Sequence, residues 1–112
     1  MPIAFMYNTP STPQEMAQWS AIHQAQHVLT NNAVAAQKGI TLPMYILDPI
    51  NLRDPIQFLL QHQQMHNFVD AIYGIAGYDL TDINLSDPEQ FAGWIFLNAQ
   101  LHQAEAQATG AF

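Results

Sequence analysis

Three times this chain sets a Thr or an Asp directly before a proline and then runs, without another proline, to a glycine. The openings are Thr12-Pro13, Asp54-Pro55 and Asp87-Pro88, and the closings are Gly39, Gly74 and Gly110. A short oxygen-bearing side chain accepts from the free amides of a first helical turn, and proline at the first position forfeits no intrahelical bond. Glycine enters the left-handed conformation that ends a helix at no steric cost. Glu15 follows Thr12 by three residues and Gln90 follows Asp87 by three, the spacing of a capping box. This punctuation predicts helices near 13–38, 55–73 and 88–109.

Periodicity agrees. Met16, Trp19, His23, Thr30 and Val34 share one face of the first helix; Phe58, His62, Met65, Val69 and Tyr73 share one face of the second. Phe91, Trp94, Asn98 and Leu101 do so on the third. These stripes repeat at 3.6 residues, not 2. The expected fold is all-α, a three-helix bundle forming a single domain over 1–112. It has an N-terminal arm over 1–11 and connecting arms over 39–53 and 74–86. Those connections are long for a simple bundle. They carry "LPMYILDPINL" and "YDLTDINL", apolar enough to pack back on the helices as extended arms or as a short pair of strands.

An internal repeat supports three related units. "LDPINLRDPIQF" (47–58) and "LTDINLSDPEQF" (80–91) match in register at Leu, Ile, Asn, Leu, Asp, Pro, Gln and Phe. A second pattern runs through all three helices: an aromatic, then His or Asn four on, then His eight on. It is Trp19/His23/His27, Phe58/His62/His66 and Trp94/Asn98/His102. The two alignments differ by three residues for the second helix. A one-turn deletion near its start reconciles them, because Pro13–Trp19 and Pro88–Trp94 have equal spacing.

All five histidines fall in this pattern. Four-residue spacing stacks them on one helix face, and two chemistries use that arrangement. One is a buried polar ladder in which each neutral imidazole gives one hydrogen bond and accepts one. Trp19, His23, His27, Phe58, His62, His66, Trp94, Asn98 and His102 would then form a core network that fixes which helix faces meet. The other is a Zn or Fe site with His23, His27, His62, His66 and His102 as ligands and Asp70 or Glu105 as a carboxylate ligand or outer partner. No Glu-x-x-His or His-Glu-x-x-His signature accompanies them. The ladder, without cofactor, is the leading expectation. Glu15, Glu89 and Glu105 read first as helix-end and surface charges.

Composition narrows the function. Charged residues make up 10% of the chain, against about 25% in typical proteins. Sparse charge reduces the self-repulsion that keeps chains apart, which points to contacts with other chains. Lys38 and Arg53 are the basic residues besides histidine, and the formal charge is −7. Two isolated cations make no phosphate-binding patch, so nucleic acid and anionic membrane are not expected partners. No cysteine is present, which removes thiol catalysis and thiolate metal sites. The N-terminal run has no basic flank of a signal peptide, and no run approaches the ~20 apolar residues of a membrane span. Ser20 and His23 lack a third group to orient a nucleophilic pair. "GIAG" (74–77) is a helix end and turn rather than a phosphate loop. No enzyme activity is expected.

The segments "TPQEMAQWSAIHQAQH", "LDPIN", "HQQMHNFVDAIYGIAGYDL" and "DPEQFAGWIFLNAQLHQAE" together resemble small, mostly uncharacterised proteins of tailed bacteriophages. Asn98 and Phe58 depart from the His and Trp of the other helices. The resemblance implies a non-enzymatic virion structural or assembly protein, made in the host cytoplasm. It would be a small repeated subunit of head, neck or tail, such as a capsid decoration protein or head–tail connector. Its partners would be other virion proteins and copies of itself. The alternative is a metal-binding bundle resembling hemerythrin-like or related His-rich proteins. A small acidic inhibitor of a host factor is a third reading.

Overall fold

The computed structural model describes residues 5–44 and 54–111. It contains three α-helices packed on one another as an all-α bundle: α1 (Pro13–Lys38), α2 (Pro55–Tyr73) and α3 (Pro88–Thr109). The bounds are those the proline and glycine punctuation predicts. Thr12 Oγ1 accepts from Glu15 N at 3.0 Å, and Glu15 Oε1 accepts in return from Thr12 N at 3.2 Å, closing a capping box. Asp54 accepts from Gln57 N, and Asp87 from Glu89 N. Gln90 turns elsewhere: its Oε1 accepts from Asn84 N at 2.8 Å and its amide donates to Asp87. Gly39, Gly74 and Gly110 all take the left-handed conformation, with φ of 67°, 68° and 69°.

All three helices run in the same direction. Trp19 and Phe58 each meet Trp94, with ring centroids 5.5 and 5.8 Å apart. Eight residues further along every helix, His27, His66 and His102 meet one another at 4.6–4.8 Å. Matching layers touch in matching order only if the helices are parallel. At the far end Tyr73 donates to Gln37 at 2.6 Å, and Gln37 donates to the carbonyl of Thr109. This explains the long connections. A 19-residue α2 is about 28 Å long, and the chain must retrace that length before α3 begins.

The second connection makes the return as an extended segment anchored in the core. Leu80 and Leu85 are buried, and Ile75 and Ile83 pack against the same cluster. Gln63 fastens it to α2, accepting from Leu80 N and donating to Tyr78 O, each at 2.8 Å. No strand occurs among the described residues. Most of the first connection, with the first half of the "LDPINL" repeat, lies outside them. Ahead of α1, Tyr7 lies against α3, edge-on to Phe96 at 5.3 Å and hydrogen-bonded to Gln103.

The aromatic layer and its neighbours Leu59, Met65, Ile95 and Leu101 form the apolar half of the core. The other half is polar. Ser20, Gln26, Thr30, Asn98 and Glu105 are buried with all five histidines, while Ile56, Leu60 and Phe96 stand in solvent. A bundle relying on apolar burial alone would have the opposite distribution.

Candidate metal centre

The site follows from register. An aromatic, a His or Asn, and a His at four-residue steps place three side chains in successive layers on one helix face. Three parallel helices then superpose those layers. Phe58 sits level with Trp19 and Trp94, so the histidine alignment, with α2 one turn shorter at its start, is the alignment in space.

The first layer is aromatic, and it roofs the second. Trp19 stacks on His23 with centroids 4.4 Å apart and planes 20° apart. Phe58 lies parallel to His62 at 6.1 Å. The second layer is His23, His62 and Asn98, with His62 Nε2 2.8 Å from Asn98 Oδ1. The third is His27, His66 and His102. One ligand nitrogen from each of the five histidines lies within 4.8 Å of all the others. His62 Nε2 and His66 Nε2 are 3.0 Å apart, and His23 Nε2 and His27 Nε2 are 3.2 Å apart.

Beyond the third layer stand two carboxyl groups. Glu105 is 1% exposed, not the surface charge its position near a helix end implies. Both its oxygens lie 2.9 Å from His66 Nδ1. Asp70, one turn after His66, hydrogen-bonds to Glu105. Burial pushes both carboxyls up to about 8, and for Asp70 the contact with Glu105 adds to it. Hydrogen-bonded to each other, both carboxyls favour the protonated form near neutrality. The histidines move the other way. Burial lowers His66 to about 4, and burial with repulsion from His66 lowers His23 to about 3. His27, His62 and His102 also lie well below the usual imidazole value, from burial first and from neighbouring imidazoles second. Near neutrality the cluster is five uncharged rings.

Uncharged rings are what a ladder and a metal site have in common. Hydrogen bonding bears on both. In the tautomer whose Nδ1–H donates to Glu105, His66 Nε2 carries a lone pair. His62 Nε2–H can serve both that lone pair and Asn98 Oδ1, which leaves the lone pair of His62 Nδ1 without a partner. Neither nitrogen of His102 has a partner, although the ring is 1% exposed and packed among the other imidazoles. Among the described protein atoms, a ladder leaves these three nitrogens without a protein partner. A buried polar group left unpaired costs about 1–3 kcal/mol. An ordered water or a bound ion would offset it.

Two of the nitrogen contacts have the spacing of ligands on a first-row cation. At a Zn–N length near 2.1 Å, tetrahedral ligand atoms stand about 3.4 Å apart, close to the two short contacts here. Imidazole suits Zn, Cu, Fe and Ni. A carboxylate on the far nitrogen of a ligating histidine fixes its tautomer and raises its basicity, and Glu105 holds that position on His66.

All nine residues of the expected network are buried in these layers. Asp70 does not join the nitrogens and stands behind Glu105. Sequence reasoning gave Glu105 no settled place. Its signal was its spacing: three residues after His102, on the same helix face. Ser20 Oγ has no hydrogen-bond partner and is not paired with His23. No helix among the described residues is long and apolar enough to cross a membrane. No protein-family model matches the chain, and neither a curated protein nor a solved structure matches it.

Proposed function

We propose that this chain is a helical-bundle metal-binding protein, with His23, His27, His62, His66 and His102 supplying the ligand nitrogens. The observation that carries this reading is His102: a fully buried imidazole, surrounded by others, with both nitrogens unpartnered. Zn or Fe fits a cysteine-free, imidazole-rich donor set, and Glu105 is the outer partner that orients His66. The ion would supply lone-pair acceptance where the protein supplies none, and its binding energy would become folding energy. Elemental analysis of the chain purified without chelator tests this, alongside melting with and without EDTA. The reading expects bound metal and a lower melting temperature in EDTA. A metal-free chain indifferent to EDTA and to added metal contradicts it.

A second reading, a non-enzymatic virion structural protein working in a symmetric oligomer, draws on the bacteriophage resemblance. Exposed apolar side chains favour it: Ile56 is 71% exposed, Leu60 54% and Phe96 47%. The two readings are compatible, since a metal-stapled bundle can be a repeated subunit. Light scattering and a protein inventory of purified particles test it; a strict monomer absent from particles would count against it.

A further inference from the structure

Three helices and two histidine-bearing layers give six positions, and histidine fills five of them. The sixth is Asn98, 2% exposed and in the layer of His23 and His62. Its Oδ1 lies 2.8 Å from His62 Nε2, and its side chain also reaches His23 and His66. An asparagine carbonyl oxygen is a metal ligand in its own right. The cluster therefore brings together six neutral donor groups, five imidazoles and one amide.

The spacing fits a six-donor shell better than a four-donor one. Two stacked triangles of donors are opposite faces of an octahedron. With bonds near 2.1 Å, neighbouring octahedral donors stand about 3.0 Å apart and opposite donors about 4.2 Å, whereas tetrahedral donors all stand about 3.4 Å apart. His62 Nε2 lies 2.8 Å from Asn98 Oδ1 within one layer. Between the layers, His62 Nε2 lies 3.0 Å from His66 Nε2, and His23 Nε2 lies 3.2 Å from His27 Nε2. These contacts centre on the octahedral edge. All five ligand nitrogens lie within 4.8 Å of one another, which leaves room for opposite pairs. A tetrahedral ion held by imidazoles alone would use four of the five and leave one buried without a role.

We propose that Asn98 Oδ1 is the sixth ligand, and that one six-coordinate divalent ion sits between the two layers, with Ni(II) bound ahead of Zn(II). This rests on the metal-binding reading. In the bound state His62 carries its proton on Nδ1 and turns the Nε2 lone pair to the ion, so its contact with Asn98 becomes an edge of the shell rather than a hydrogen bond. Zn(II) has no d-electron preference for six donors and usually takes four. Ni(II) gains from an octahedral field, and affinity rises along the divalent series from Fe to Ni.

The test loads the metal-free full-length chain with Co(II), whose visible absorption is faint in six-coordinate sites and intense in tetrahedral ones, and then competes Ni(II) against Zn(II). The native chain gives the faint spectrum and prefers Ni(II). N98A removes the sixth donor, so absorption rises several-fold and the Ni(II) preference narrows. N98H places a nitrogen there, so absorption stays faint and its bands move to shorter wavelength; it carries the test if N98A fails to fold. Intense absorption from the native chain, or a preference for Zn(II), overturns the six-donor shell. An N98H spectrum identical to the native one removes Asn98 from the shell. A native chain that takes up none of Co(II), Ni(II) and Zn(II) overturns the metal reading itself, so the failures are distinct.

Discussion

Both carboxylate oxygens of Glu105 lie 2.9 Å from Nδ1 of His66, and both residues are 1% exposed. The contact has the geometry of an ion pair, yet burial holds the imidazole neutral, with its value lowered to about 4. The Glu105 carboxyl therefore acts on a neutral ring. It claims the Nδ1–H and leaves a lone pair on Nε2, facing the other histidines.

Replacing Glu105 separates its two roles. E105Q keeps an oxygen for His66 Nδ1–H but cannot ionise to a carboxylate when metal binds, and should weaken metal affinity about 10–100-fold. E105L leaves that N–H buried and unpaired, and should cost the metal-free fold about 1–3 kcal/mol. Metal titration reads the first and urea unfolding the second.

His102 gives the opposite pattern. It has no protein hydrogen-bond partner, so H102L removes no protein hydrogen bond and keeps most of the volume. Replacing an unpaired polar group with an apolar one of similar shape is close to neutral, so metal-free stability should shift by less than about 1 kcal/mol. Metal binding should weaken sharply. A loss of stability like that of a satisfied hydrogen-bonding residue, with metal binding intact, would speak for a closed ladder.

Acid should unfold the metal-free chain. The histidine values are depressed in the fold, to about 4 for His66 and about 3 for His23. Below the unfolded value near 6.5 the unfolded chain binds protons that the fold refuses. Stability is thus full above 6.5 and falls as pH drops toward 4 and below, by up to about 1.4 kcal/mol per pH unit for each histidine. Asp70 and Glu105 act in the other sense, because their values are raised to about 8. Their contribution is present below the unfolded carboxylate range and is lost as pH climbs through 8. Melting temperature against pH should peak near neutrality and fall on both sides, more steeply toward acid. Saturating metal should push the acid limb to lower pH.

The exposed apolar positions make a separate prediction for the assembly reading. Ile56 and Leu60 sit one turn apart on the outer face of α2, beside one shallow cavity. Replacing both with serine should leave melting nearly unchanged, because neither is in the core. Any self-association seen by light scattering at high protein concentration should fall.

Much of this was legible in the residues. Thr12, Asp54 and Asp87 with their prolines, and Gly39, Gly74 and Gly110, set the helix bounds, since capping is decided within four or five residues. The shared face of the histidines was legible too, because spacing alone determines it. The parallel direction was not read, although every helix carries its aromatic before its histidines and the connections are long. Direction follows only when like layers are known to touch. Glu105 was read first as a helix-end or surface charge and, in the metal reading, as a ligand or outer partner. Its burial depends on the partner at His66, on another helix. That neither nitrogen of His102 meets a protein partner could not be read at all, since hydrogen-bond satisfaction is a property of the packed rings rather than their order.

The most direct test of the central claim is a calorimetric titration of the chelator-treated native chain with Zn(II) at neutral pH. The account predicts saturable binding at one equivalent per chain. A melting temperature raised in parallel should reflect about 4 kcal/mol of added stability at a thousandfold excess over Kd. No binding heat and an unmoved melting temperature would contradict it.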